Sequence, residues 1–165
     1  MVQETWKNYR EMKHSKPPPL KGIRVLEVCT LLLGPAGPGF LSSMGAEVIK
    51  CEIPPMGDTV REMVPFGYFF KEQSPALVHI NPNKYWLGLD LHKPEAQKLF
   101  HELVAKSDIV EDNLRPGTME KWNIGYRQLK EINPGIICIS KNGFGQWGQY
   151  AEQNRPSNDG ASQAF

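Results

Sequence analysis

Apolar and polar positions follow two different periods along residues 20–140, and the alternation of these periods predicts strands and helices in turn. Short apolar runs rich in β-branched residues predict strands at residues 23–28, 47–52, 86–91, 109–111 and 136–140. Apolar positions three and four apart predict a helix over residues 94–106, with Pro94 in its first turn. Shorter helices are predicted at residues 40–44, 118–122 and 126–132.

The order of these elements predicts an α/β fold with a parallel sheet and flanking helices. The strands are apolar on both faces, as in a sheet that helices cover on each side, and residues 136–140 form the most apolar of them. Residues 141–165 contain no Leu, Ile, Val or Met, so we expect the incomplete N-terminal part of a larger domain. The polar residues 1–19, which end in three prolines, are predicted to be an N-terminal extension, and the domain then spans 20–165.

The segment from residue 53 to residue 83 keeps neither period. It contains five prolines and a cluster of aromatic residues at positions 66–70. We predict a long ordered loop, and long loops in compact domains are often functional.

Composition narrows the class of protein. A net charge of +1 disfavours a nucleic-acid binder with a broad basic face. The longest aliphatic run, Leu31–Leu33, is too short to span a membrane. Three scattered cysteines without a C-x-x-C pair indicate a reducing compartment, so we expect a cytoplasmic protein. The four histidines lack the spacing of metal ligands, and no metal site is predicted.

Glycines at positions 34, 37 and 39 follow the first strand, which is where a dinucleotide-binding turn would lie. Their spacing is G-x-x-G-x-G instead of G-x-G-x-x-G, and Pro35 and Pro38 each remove a backbone donor. Nicotinamide or flavin binding is therefore disfavoured, although Glu52 stands near the position of the usual ribose-binding acid. The sequence contains neither a P-loop nor a G-x-S-x-G elbow.

The loop after the fourth strand offers a candidate anion site. Asn113 and Arg115 follow the strand directly, and Lys121 lies in the next predicted helix. In parallel sheets ligands bind beyond the carboxyl ends of the strands, and these side chains suit a phosphorylated ligand. Ordinary capping by Asn113 and a solvated Arg115 explain the same residues equally well.

A set of short motifs in a fixed order resembles the family III CoA-transferases, which include related acyl-CoA racemases. The motifs are Pro19-Leu20-Lys21-Gly22-Ile23-Arg24-Val25-Leu26-Glu27, Leu33-Gly34-Pro35, Gly45-Ala46-Glu47-Val48-Ile49-Lys50-Cys51-Glu52, Gly57-Asp58-Thr59-Val60-Arg61, Asn83-Lys84, Leu89-Asp90-Leu91, Glu111-Asp112-Asn113-Leu114-Arg115-Pro116-Gly117, Ile132-Asn133-Pro134 and Gly143-Phe144-Gly145-Gln146. The resemblance implies a Rossmann-like large domain, a smaller domain beyond this chain, and an interlocked dimer, either of identical chains or with a related subunit.

The resemblance also implies the reaction and its substrates. An acyl-CoA and a carboxylic acid exchange CoA through an enzyme carboxylate, which forms a mixed anhydride and then an enzyme thioester. The family's nucleophilic Asp is expected after Phe165, so no catalytic nucleophile is assigned within the chain, and residues 1–165 alone are expected to be inactive. Asp159 matches an acidic position near the active site and is a possible accessory group, although a helix N-cap explains it as well.

Contacts to the substrate CoA are implied at ten positions. These are Leu32, Leu33, Leu89, Asp90, Leu91, His92, Asn113, Leu114, Arg115 and Lys121. Two departures from the family pattern matter. Ile53 replaces an arginine that binds the nucleotide end, for which Arg61 or Lys93 is a candidate substitute. Leu32 replaces the glutamine of formyl-CoA transferases, so we expect a more apolar acyl group than formyl or oxalyl.

Two alternative functions stay open at this point. An acyl-CoA racemase on the same scaffold is disfavoured, because Asn158 stands where racemases usually carry a histidine and cannot transfer protons as a base. A non-catalytic subunit of a heteromeric CoA-transferase agrees with the departures at Leu32 and Ile53.

Overall fold

Five parallel strands form a single sheet in the computed structural model, which describes residues 17–64 and 67–152. The strands are β1 (Arg24–Val28), β2 (Glu47–Glu52), β3 (Lys84–Gly88), β4 (Ile109–Asp112) and β5 (Ile137–Ser140). Their order in the sheet is β3-β2-β1-β4-β5, and every neighbouring pair is parallel. With β1 in the middle and the chain winding to both sides, this is the order of a Rossmann-like sheet, which confirms the predicted fold class.

Helices cover both faces of the sheet. They are α1 (Leu33–Ser43), α2 (Pro75–Ile80), α3 (Pro94–Val104), α4 (Thr118–Lys121), α5 (Tyr126–Ile132) and α6 (Gln149–Glu152), with a 3₁₀ turn at Thr59–Glu62. Residues of α3, α4 and α5 form the main core with Leu26 and Val110 of the central strands. Leu41 of α1 packs on the opposite face against a small second cluster around Val25 and Val48.

The face beneath α1 is apolar near the amino ends of the strands and charged near their carboxyl ends. Val25 and Val48 lie in the apolar part, and one pleat further along come Glu27 and Lys50. The Glu27 carboxylate bridges two ammonium groups, with its Oε1 2.8 Å from Lys50 Nζ and its Oε2 2.6 Å from Lys84 Nζ. All three side chains are completely buried. Buried charges of this kind are tolerated only when each has a partner.

Helix α1 begins seven residues earlier than the sequence predicted, at Leu33 instead of residue 40. Pro35 lies in the first helical turn, where a missing N–H costs nothing. Pro38 lies inside the helix and leaves the Gly34 carbonyl without its usual partner, but Lys141 Nζ donates to that oxygen at 2.8 Å. The prediction was wrong because Lys141, which is distant in the sequence, donates a hydrogen bond to the Gly34 carbonyl that Pro38 leaves without a helical donor.

The segment 53–83 is more structured than the predicted loop. It contains the 3₁₀ turn and α2, which begins at Pro75 after Ser74 caps it by accepting a hydrogen bond from the Leu77 N–H. The next strand, β3, starts at Lys84 and ends at Gly88, two to three residues before the predicted bounds. Residues 89 and 91 look like strand positions in the sequence because both are buried apolar residues that join the core from the turn that follows β3.

Strand β5 is exposed, although the sequence predicted it to be buried. Ile137 is 56% exposed and Ile139 is 37% exposed. The strand pairs with β4 at the edge of the sheet, and its register places both isoleucines on the face of Glu111, where α1 lies over the more central strands. The apolar sequence of a strand does not indicate whether another element of the protein covers that strand.

Replacing Lys84 with methionine tests the buried charges. The substitution leaves one oxygen of the buried Glu27 carboxylate without a cation, so we expect a loss of about 3–5 kcal/mol in the free energy of unfolding. Urea denaturation followed by circular dichroism measures it. Lys98→Met on the exposed side of α3 is the control and should change stability by less than about 0.5 kcal/mol. A loss below about 1 kcal/mol for Lys84→Met would contradict a structural role for the bridge.

Candidate functional site

The centre of the carboxyl edge of the sheet is the loop that joins β1 to α1, residues 29–32. Asn113, which follows β4, binds this loop through two hydrogen bonds of its side-chain amide. Its Oδ1 accepts a hydrogen bond from the Thr30 N–H at 2.9 Å, and its Nδ2 donates to the Thr30 carbonyl at 2.8 Å. The capping interpretation of Asn113 is therefore wrong, because both polar ends of its amide are used to join two strand ends.

The next backbone group of the loop is held from the other side. Asp58 Oδ1 accepts a hydrogen bond from the Leu31 N–H at 2.8 Å and a second one from the Val60 N–H at 3.0 Å. Leu31 has a φ of 65°, the left-handed region that an L-residue with a large side chain seldom adopts. The loop thus keeps a conformation that the chain would not choose by itself.

Leu31 and Leu32 of this loop and Leu33, the first residue of α1, have exposed side chains. They are 47%, 41% and 57% exposed, although Cys29, two residues before Leu31, is buried. Apolar side chains exposed on a fixed backbone are typical of a ligand surface. Leu32 and Leu33 are two of the contacts expected from the sequence.

Lys50 lies under the loop and binds to three groups. Its Nζ is 2.9 Å from Asp58 Oδ2, donates to Glu27, and donates to the Cys29 carbonyl at 2.6 Å. Burial alone would lower the pKa of Lys50, but the Glu27 and Asp58 carboxylates outweigh burial and raise it. Lys84 has a single carboxylate partner, and burial lowers its pKa despite that partner.

The glycines of α1 allow the helix to lie directly on the polar groups beneath it. A Cβ placed on Gly34 would lie 2.5 Å from Asn113 Cγ, and one placed on Gly37 would lie 2.7 Å from Glu111 Oε1. Glu111 is paired there with Lys141. The space next to these glycines is filled by protein, so their role is close packing and not the approach of a pyrophosphate.

A second loop pair lies beside the first. Leu114 and Trp122 line a small apolar cavity of about 70 Å³ together with residues at the ends of β1 and β2. The His92 ring meets the Trp122 ring edge-on, with 4.8 Å between centroids. His92 Nδ1 is 2.9 Å from Asp90 Oδ1, and this hydrogen bond lowers the pKa of Asp90. The turn after β3 is therefore in contact with the C-terminal end of α4.

The structure separates the remaining predicted contacts into groups. The side chains of Leu89 and Leu91 belong to the core, so at these positions any contact with a ligand has to come from the backbone. Arg115 is exposed and lines a larger cavity of about 420 Å³, together with Gln146 and Trp147. Lys121 is exposed at the end of α4. Asp159 lies outside the described residues.

The structure contains a groove at the carboxyl ends of β2 and β3 that the sequence did not predict. Its volume is about 320 Å³, and Pro54, Pro55 and Met56 form part of its wall. Arg61 lies over the Trp86 ring at 4.7 Å from the ring centroid, and its Nε is 2.9 Å from Glu52 Oε2. In the sequence, Arg61 is a candidate substitute for the arginine missing at position 53, whereas the motif at residues 57–61 assigns no role to Asp58. Glu52 is engaged with Arg61, so the ribose-binding interpretation receives no support.

Within the described ranges, no group of three or more His, Cys, Asp and Glu side chains is arranged to hold a metal ion. None of the helices described there is long and apolar enough to cross a membrane. The cysteines are poor nucleophiles. Burial raises the pKa of the Cys51 thiol to about 12 and that of the Cys138 thiol to about 11.

Comparison with known proteins identifies the family. The model of CoA-transferase family III matches residues 20–165. The chain belongs to this family. It is 41% identical over 143 residues to the succinyl-CoA–D-citramalate CoA-transferase of Chloroflexus aurantiacus, covering 86% of this chain and 35% of that protein. It is 40% identical over 138 residues to the alpha subunit of the succinyl-CoA–L-malate CoA-transferase of that organism, covering 82% of this chain and 32% of the relative.

Solved structures agree with this assignment. A CaiB/BaiF family protein from Brucella suis has a TM-score of 0.79 and 33% identity, and the match covers 87% of this chain and 38% of that one. The chain thus spans about a third of the length of the curated relatives it matches. The resemblance seen in the sequence is confirmed, whereas the individual contact residues stay predictions.

The thiol pKa values predict how the native cysteines react. We expect iodoacetamide at pH 8 to leave Cys29 and Cys51 unmodified in the native protein and to modify all three cysteines in 8 M urea, because unfolding returns their pKa to about 8.5. In the native protein the alkylation rate at Cys138 should rise about tenfold per pH unit up to about pH 11. Peptide mass spectrometry gives the site-by-site rates. Rapid native labelling of Cys29 at pH 8 would show that the loop opens.

Proposed function

We propose that the protein transfers CoA from an acyl-CoA to a carboxylic acid, with residues 20–165 supplying a large part of the CoA-binding surface. The observation that carries this proposal is the fixed β1–α1 loop, which meets the loop after β4 at the carboxyl edge of the sheet in a chain of this family. Ligands bind at this edge in open α/β sheets.

The proposed reaction needs a carboxylate supplied from beyond residue 165. That carboxylate attacks the thioester carbonyl of the donor, the carbon–sulfur bond breaks, and a mixed anhydride and the CoA thiolate form. The thiolate then attacks the enzyme's side of the anhydride and releases the donor acid, which leaves an enzyme thioester. The acceptor carboxylate repeats the two steps in reverse and leaves as its CoA thioester. No described cysteine is needed for any step.

For the acyl donor we favour a group larger than formyl or oxalyl. Three exposed leucines, Leu31–Leu33, form the apolar surface around the position where formyl-CoA transferases carry a glutamine, and such a surface suits the methylene groups of a longer acyl chain. Relatives act on succinyl-CoA with D-citramalate, L-malate or mesaconate as their names state. A succinyl donor and a dicarboxylic acceptor are therefore the first substrates to test.

The phosphates of CoA would be bound by exposed or partly exposed basic side chains at the same edge. Arg115 and Lys121 are exposed, and Arg61, with 39% of its side chain exposed, lies over Trp86 at the groove that follows Glu52. Arginine suits a phosphate through paired N–H donors. Arg61 is thus our candidate for the phosphate binding that the apolar side chain of Ile53 cannot provide.

For the assembly we favour an interlocked dimer of this chain or a pair with a related subunit. Two of the relatives are an alpha and a beta subunit of one CoA-transferase, and both are similar to this chain, at 40% and 38% identity. A partner of the same family is consistent with both arrangements. Cytoplasmic location is likewise proposed from the scattered cysteines, which are reduced in that compartment.

Replacing Arg115 or Lys121 with alanine should weaken CoA binding without unfolding the protein. Each exposed contact is expected to contribute about 1 kcal/mol, so the dissociation constant of CoA should rise about fivefold per substitution. Isothermal titration calorimetry measures it. Lys106→Ala, an exposed lysine close to the amino edge of the sheet, is the matched control. An equal affinity for CoA in all three variants would show that Arg115 and Lys121 do not contribute to CoA binding.

A direct assay tests the proposed reaction on the full-length protein. Succinyl-CoA is incubated with malate, citramalate, mesaconate or glutarate, and the product thioesters are separated by liquid chromatography and mass spectrometry. We expect a new acyl-CoA with one of these acids and an enzyme thioester that hydroxylamine traps. Deuterium exchange at the α-carbon without CoA transfer would favour the racemase alternative. CoA binding without either reaction would favour a non-catalytic subunit.

A further inference from the structure

Asp58 has no role in the chemistry described so far, yet it is completely buried and both of its carboxylate oxygens have partners. One oxygen accepts two backbone N–H groups, from Leu31 and Val60, and the other lies 2.9 Å from Lys50 Nζ. Its own N–H donates to Glu52 Oε2 at 3.1 Å. Asp58 therefore connects β2, the 3₁₀ turn and the β1–α1 loop.

Among these contacts, the hydrogen bond from the Leu31 N–H is the one that links Asp58 to the candidate site. A left-handed φ is unfavourable for a non-glycine residue, and here it occurs at a leucine whose side chain is 47% exposed. Apolar burial does not offset that cost. Strain of this kind persists only where the surroundings fix the backbone, and it collects at ligand sites.

We infer that Asp58 is a positioning residue, which holds the β1–α1 loop so that Leu31, Leu32 and Leu33 form one apolar surface against the acyl end of the CoA thioester. This inference rests on the proposed function. The carboxylate acts through the Leu31 N–H and does not itself touch substrate in this scheme.

The geometry separates this role from a purely electrostatic one. The charge of Asp58 stabilises the ammonium group of Lys50, which also binds Glu27 and the Cys29 carbonyl. The position of Asp58 Oδ1 allows it to accept the hydrogen bond from the Leu31 N–H. Asp58→Asn keeps an acceptor at the same place and removes the charge, whereas Asp58→Glu keeps the charge and moves the acceptor by one methylene.

The test compares these two variants and Asp58→Ala in the full-length protein, with Val104→Ala, a buried residue of α3, as a control for general loss of stability. Hydrogen exchange followed by mass spectrometry reports the protection of residues 29–33. Kinetics with succinyl-CoA give kcat and KM, and calorimetry gives the affinity for free CoA, which lacks an acyl group.

We expect Asp58→Ala and Asp58→Glu to lose at least tenfold protection in the loop and about tenfold in kcat, the equivalent of about 1.4 kcal/mol. Their affinity for free CoA should stay within about twofold of the wild type, because the phosphate contacts lie elsewhere. Asp58→Asn should lower the free energy of unfolding, because Lys50 loses one of its two carboxylate partners, but below the unfolding transition it should keep most of the loop protection and most of kcat. Val104→Ala should lower stability and leave kcat unchanged.

Three results would overturn the inference. These are unchanged loop protection in Asp58→Ala, equal losses of free CoA and acyl-CoA binding, and an Asp58→Asn variant as impaired as Asp58→Glu. If Asp58→Ala does not fold, the contrast between the Asn and Glu variants decides. A wild-type protein without affinity for CoA would instead overturn the proposed function, and loop protection would still show whether Asp58 fixes the loop.

Discussion

A set of buried charges at the carboxyl half of the sheet is the constraint on which the rest of this structure depends. Glu27 and Asp58 supply two negative charges, and Lys50 and Lys84 supply two positive ones, all without access to solvent. Taking four ions out of water is costly, and the cost is recovered only if each retains its partners. Consequently β1, β2 and the start of β3 have to keep their relative positions, and the loop above them is fixed as well.

The charges also determine the composition of the helix that covers them. Lys84 donates to the Pro35 carbonyl and Lys141 donates to the Gly34 carbonyl, so the first turns of α1 serve as acceptors for two ammonium groups. Side chains on that surface would block the approach, as the close contacts at Gly34 and Gly37 demonstrate. Sequence rules associate such glycines with a cofactor, but here their neighbours are charged side chains of the protein itself.

The periodic parts of the chain could be predicted, because burial of an apolar stripe against a sheet is a local signal. Helix α5 has the predicted bounds, and the parallel sheet follows from the order of its elements. The predictions fail where the structure of a segment depends on residues far away in the sequence. Lys141 rescues the start of α1, and the lack of a covering element among the described residues exposes β5.

The candidate site shows the same division. Motifs near the strand ends fall in the loops of the candidate site, yet they gave no sign that the side chains of Leu89 and Leu91 join the core from a turn, or that Asn113 binds backbone groups. Asp58 was visible only as one letter of a motif at residues 57–61. Its partners lie 8 and 27 positions away, at Lys50 and Leu31, and only the fold brings them together.

Pro38 and Lys141 are more than 100 positions apart and nevertheless form a single unit, because the proline frees the Gly34 oxygen that the lysine occupies. An ordinary residue at position 38 would supply an N–H that competes for this oxygen, and the loss of the lysine would leave the oxygen unbound. The two positions should therefore be inherited together, and an exchange at one would be accepted in evolution most readily when the other changes in the same lineage.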